Sequence, residues 1–170
     1  MEIALFLVFP VLAAIAAIYD AASMTIPNWL NAVIAALFIP VALAAHWSLP
    51  AIGTHLALGV VVFLIGAGLF FAKVMGGGDV KMIAACSVWV GLPISSLLGF
   101  LAATAIAGGV LAAFALVARR ITPAGLSEAG WARWLTERRA GLPYGVAIAV
   151  GGVFAWMNSD LGASLQTRFG

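Results

Sequence analysis

Charge is what this chain has least of. Its 170 residues include six acidic and eight basic side chains, 8% of the total, against about 25% in soluble domains. That scarcity excludes an ordinary water-soluble domain. With 65% hydrophobic residues and a mean hydropathy of +1.17, the chain needs lipid as its solvent. Cysteine is nearly absent too. The single Cys86 rules out an intrachain disulfide and a cysteine-rich zinc module, and its place in an apolar run marks it as a packing residue. No polar stretch is long enough to form a second domain, so residues 1–170 read as one membrane-embedded unit. The first run lacks a basic flank, since it opens Met1-Glu2, and no small-residue cleavage site is followed by a soluble region. It reads as a retained helix, not a secretory signal. A net charge of +2, carried at loop positions, gives no reason to expect nucleic acid as a partner.

What the chain has in abundance is apolar runs. They lie near 3–20, 29–46, 54–72, 80–92, 94–118 and 142–158, and predict an all-α, polytopic membrane protein, a bundle of about six transmembrane helices. The fourth run is short and ends at Gly91-Leu92-Pro93, where proline breaks a helix. With about 1.5 Å per residue it falls short of a roughly 30 Å hydrocarbon core, so one of its ends is expected below the membrane surface.

Seven of the eight basic residues, Lys73, Lys81, Arg119, Arg120, Arg133, Arg138 and Arg139, fall in or beside the connections after helices 1, 3 and 5; only Arg168 falls elsewhere. The positive-inside rule puts those connections in the cytoplasm and both termini outside, in a plasma-membrane protein. Between Arg119 and Gly141, the residues Leu126, Trp131, Trp134 and Leu135 share roughly one helical face. Two readings fit: a helix lying in the interface, or a polar loop carrying aromatic-belt residues. The six tryptophans, at 29, 47, 89, 131, 134 and 156, are expected mostly near the membrane interfaces. His46 and His55 flank the connection between helices 2 and 3; with no third ligand nearby they read as interface residues, not a metal pair.

Two acids stand out against this background. Asp20 closes the first apolar run and precedes Ile26-Pro27-Asn28. Asp79 sits in Gly76-Gly77-Gly78-Asp79-Val80-Lys81, between the third and fourth runs. Ionisable groups at membrane depth are costly and mark functional sites, and the topology brings both to the cytoplasmic face. Two carboxylates sharing a proton can hydrolyse a peptide, one activating water and the other protonating the substrate. Asp79 is expected near a helix N-terminus, where the dipole favours the ionised form, and Asp20 near a C-terminus, where it does not. Asp79 is thus expected to be the more readily ionised partner. The glycines permit backbone conformations closed to other residues and leave room for a substrate strand. Pro27 suits the start of helix 2, and Asn28 is placed to hydrogen-bond locally.

These residues resemble the type IV prepilin peptidases, membrane aspartic proteases that remove the leader from pilin precursors. The likeness is carried by Asp20 with Ile26-Pro27-Asn28, by Gly76–Lys81 as the family's GxGDxK element, and by Pro143-Tyr144-Gly145, and it spans roughly residues 3 to 158. It implies that Asp20 and Asp79 are the catalytic pair and that Gly78 and Lys81 shape and polarise the site. It also implies cleavage at the cytoplasmic face, next to the pilin's hydrophobic helix, with no metal or organic cofactor. The partners implied are the prepilin leader peptide, that helix and the bilayer. Longer members carry a cysteine-bearing cytoplasmic region and methylate the new N-terminus. This chain, with one cysteine, resembles the short form of Flp-type tight-adherence systems, and N-methylation is not expected. Archaeal preflagellin peptidases share the short core. Outside the family, a transporter or channel subunit using the two acids as an ion or proton relay and a structural subunit of a secretion complex remain as readings. The residues leave the oligomeric state open.

Overall fold

The computed structural model describes residues 2–121, 133–136 and 141–167. Eight helices occur among them: α1 (Glu2–Ser23), α2 (Asn28–Ala44), α3 (Leu49–Phe71), α4 (Gly77–Val90), α5 (Ile94–Ile121), α6 (Arg133–Thr136), α7 (Tyr144–Met157) and α8 (Asp160–Gln166). Every one of the six apolar runs is a helix, with small shifts at the ends. Three of them, α1, α3 and α5, are long and apolar enough to cross a membrane, and α7 with α8 forms a further candidate span bent by 62°. The α2 helix is apolar but shorter. At 14 residues, α4 is about 21 Å long and too short to span, in keeping with its proline-limited run. The chain is a helical membrane bundle.

The short helix lies at the centre. It packs against α2, α3 and α7, while α7 packs in turn against α1 and α5. Residues Met82 through Val90 are all buried, as befits a helix that is apolar all round. Cys86 is fully buried among them. Close approach of α3 is made possible by Gly66, where an added Cβ would stand 2.7 Å from Val80 Cγ1.

Aromatic rings fill the centre. Trp89 stacks on Phe9 at 5.2 Å and meets Trp156 and Phe38 edge-on at 5.4 and 5.7 Å. Trp89 and Trp156 therefore depart from the expected aromatic belt. Both are fully buried, because each indole N–H finds a backbone acceptor: Trp89 Nε1 donates to Ile34 O at 2.7 Å and Trp156 Nε1 to Phe6 O at 3.3 Å. Trp29, by contrast, is exposed. His55 also departs from expectation. It is a core residue whose Nδ1 lies 2.8 Å from Val88 O, with its ring stacked on Phe38 at 5.1 Å.

Most of the segment between Arg119 and Gly141, read as an interfacial helix or a polar loop, lies outside the described residues, Leu126 and Trp131 included. Within it, the Trp134 carbonyl accepts hydrogen bonds from Arg119 Nε and Nη2 at 3.1 and 2.8 Å.

Candidate active site

Three separate parts of the chain meet at one end of the bundle. The last turn of α1 supplies Asp20, and the connection to α2 supplies Met24, Thr25 and Ile26. The connection from α3 and the first turn of α4 supply Gly76, Gly77, Gly78 and Asp79. Leu142, just before α7, completes a cavity of about 230 Å³ lined by these residues. Asp20 and Asp79 thus share one recess. The space is ample for water.

Asp20 lies within α1, which continues one turn beyond it to Ser23. Its carboxylate is buried, and Oδ2 accepts a hydrogen bond from the Gly145 backbone N–H at 2.6 Å. A Cβ on Gly145 would come within 2.8 Å of Asp20 Oδ2 and 2.9 Å of Ile26 Cδ1, so a larger residue here would push these side chains aside. This donor was not among the site residues expected from the sequence; its signal was the Pro143-Tyr144-Gly145 element, which places a glycine in the first turn of α7.

Asp79 is half-buried in the first turn of α4, outside the membrane-spanning helices. Burial and, second, the neighbouring Asp20 carboxylate push its pKa up to about 6. The helix N-terminus does not keep Asp79 at the ordinary carboxylate value. Loss of solvation and a like charge outweigh a dipole term worth roughly 0.3–1 kcal/mol.

The glycines act by proximity. Gly76 caps α4 with φ −69°, and Gly91 is the sole glycine with positive φ among the described residues, so backbone freedom is not what Gly76–Gly78 provide. An added Cβ on Gly76 would meet Asp79 Oδ2 at 3.0 Å, and one on Gly78 would rest on Ile26 at 3.8 Å. Gly77 packs against α3, where an added Cβ would meet Phe70 Cε2 at 3.2 Å, and only Gly78 faces the loop that follows Asp20.

Asn28 departs from expectation, with Lys81 as its partner. The Lys81 ammonium donates to Asn28 Oδ1 at 2.7 Å. Asn28 therefore makes a long-range bond between α2 and α4, not a local one, and Lys81 is occupied there. Pro27 is the N-cap of α2, with φ −59°, as its position suggested.

A helical membrane bundle that gathers two carboxylates into one cavity at the helix ends belongs to the class of membrane proteins with a paired-acid site. The model of the type IV leader peptidase family matches residues 7–113, a stretch that holds both Asp20 and Asp79. The chain belongs to that family, and with it to the peptidases. No curated protein and no solved structure matches the chain.

Proposed function

We propose that this protein is a two-aspartate endopeptidase that cleaves the leader from Flp-type prepilins at the cytoplasmic face of the plasma membrane. The observation that carries the reading is the shared cavity of Asp20 and Asp79, in a chain with only six acids. The substrate and the side of the membrane rest on the resemblance and on the positive-inside distribution of basic residues.

Asp20, held by the Gly145 N–H, acts as the base, and Asp79 as the proton donor. A water oxygen bonds to the scissile carbonyl carbon while its proton passes to Asp20. The Asp79 proton passes to the carbonyl oxygen. Collapse of the tetrahedral intermediate breaks the C–N bond. Asp20 then gives its proton to the leaving amine, and the proton on the carbonyl oxygen returns to Asp79. One water is consumed and the pair is restored, with no metal or organic cofactor in the cycle. Because the two acids interact, their titration belongs to the pair.

The relay reading receives no comparable support. A relay distributes ionisable groups through the membrane, whereas these two acids stand at one end of the bundle.

Mass spectrometry of a co-expressed Flp-type prepilin tests the proposal. The expected product is a mature pilin whose new N-terminus lies just before its hydrophobic helix. A precursor left intact by the well-expressed wild-type protein would contradict it.

A further inference from the structure

The Gly145 N–H that holds Asp20 is carried by a helix that is itself locked to a neighbour. Tyr144, the first residue of α7, is half-buried, and its ring occupies a notch that the buried Gly108 leaves on α5. A Cβ on Gly108 would stand 2.6 Å from the Tyr144 hydroxyl oxygen and 2.7 and 2.8 Å from its ring carbons Cε2 and Cζ. About two turns further along α7 the contact is reversed. There the buried Gly151 receives Thr104 of α5, and an added Cβ would stand 2.7 Å from the Thr104 backbone nitrogen and 2.9 Å from its Cα. Each helix thus sets a side chain into a glycine of the other. Small residues let membrane helices approach this closely, and in packing this tight a slide along the axis drives side chains into backbone. Shape carries the contact at Thr104, whose buried hydroxyl has no hydrogen-bond partner.

The register that results bears on the site. Gly145 follows Tyr144 directly, and its N–H is one of the donors that the first turn of a helix leaves without an intrahelical partner. Pro143 caps α7 with no side-chain hydrogen bond. The Asp20 carboxylate fills that need from α1, at 2.6 Å. A bond this short fixes where the first turn of α7 has to stand, and a small axial shift of α7 would break it. Neither Tyr144 nor any residue of α5 lines the aspartate cavity. Instead α5 packs chiefly on α7, which packs in turn on α1, so its route to Asp20 runs through α7.

We propose that Tyr144, seated in the Gly108 notch, is a positioning residue: it fixes the height of α7 so that the Gly145 N–H meets the Asp20 carboxylate. The two neighbours in Tyr144-Gly145 then divide the work, one anchoring the helix and the other presenting its backbone donor. As a statement about catalysis this rests on the peptidase reading above, and it adds a residue that acts on the reacting pair from outside the cavity.

The test uses the full chain reconstituted in lipid vesicles and two readouts. One is the infrared band of the Asp20 carboxyl, identified by its loss in Asp20→Asn; the other is steady-state cleavage of a Flp-type prepilin. Tyr144→Ala empties the notch and Gly108→Ala fills it. Both are expected to move the Asp20 band and to lower kcat by up to about 100-fold, with KM little changed because neither residue lines the cavity. Tyr144→Phe keeps the ring and is expected to keep the wild-type band and kcat. Gly109→Ala, where an added Cβ meets nothing within 4 Å, controls for alanine in α5. Should Gly108→Ala fail to fold, Tyr144→Ala, which only removes atoms, carries the test. A fall in kcat with the Asp20 band unmoved would make the contact merely structural and overturn the proposal. So would wild-type behaviour of Tyr144→Ala, or a loss in Tyr144→Phe as large as in Tyr144→Ala. If the wild type does not cleave, the peptidase reading fails on its own, and the infrared band still decides whether Tyr144 positions Asp20.

Discussion

Gly145 holds Asp20 from across the bundle: its backbone N–H lies 2.6 Å from Asp20 Oδ2 although 125 positions separate the two in the chain. The bond orients one acid of the pair through a group that carries no side chain. Gly145→Ala is expected to displace the Asp20 carboxylate, because the new methyl would stand 2.8 Å from Oδ2. Misplacement of a reacting group on this scale costs on the order of 100-fold in rate. Prepilin cleavage rates measured alongside Gly109→Ala, where an added Cβ meets nothing within 4 Å, check this. The control is expected to retain wild-type activity.

Asp79 gives a pH dependence with a definite sign. Its pKa is raised to about 6, so the carboxyl carries its proton below that pH and loses it above. As the proton donor, Asp79 produces the alkaline limb of the kcat/KM profile in the free enzyme: cleavage falls as pH rises through about 6. Removing the neighbouring charge with Asp20→Asn lowers the Asp79 pKa, though not to the ordinary 3.8, because burial is the larger cause and remains. Infrared difference titration of the Asp79 carboxyl reads the shift directly, and an unchanged value in Asp20→Asn would contradict it.

Lys81 makes a contrasting case. Its ammonium is bound to Asn28 Oδ1, and the shift at Asp79 arises from burial and from Asp20. Lys81→Gln is therefore expected to leave the Asp79 titration in place while loosening the α2–α4 tie. The same infrared titration, with cleavage measured beside it, separates the two effects. A large movement of the Asp79 pKa would show that Lys81 acts on the acid directly.

Much of this arrangement could be read from the sequence, and the boundary of what could be read is physical. Helix positions followed from apolar run length, and the expectation that Asp20 and Asp79 emerge on one face followed from where the basic residues fall. Both are near-neighbour properties of the chain. The Gly145 donor and the Lys81–Asn28 bond depend on how helices distant in sequence pack. The glycines before Asp79 were legible as special, but their use for close approach instead of unusual φ needed coordinates. Trp89, Trp156 and His55 were misplaced at the interface because composition does not reveal that backbone carbonyls of Ile34, Phe6 and Val88 meet their ring nitrogens in the core.

Helix packing offers a stability test remote from the chemistry. Gly66→Ala drives a methyl against Val80, at 2.7 Å from Cγ1. Overpacking of this kind costs about 1–3 kcal/mol. Gly68→Ala faces open space two positions away and is expected to leave stability unchanged or slightly raised, since alanine favours the helix. Thermal unfolding in detergent compares the two.

The central claim is that Asp20 and Asp79 work as one catalytic unit, and leader cleavage in membranes containing matched amounts of wild type, Asp20→Asn and Asp79→Asn tests it most directly. Asparagine keeps the shape and removes the titrating group. The account predicts cleavage of the Flp-type prepilin by wild type and a loss of roughly 10²–10⁴-fold in each single variant. Near-normal cleavage by either variant would contradict it.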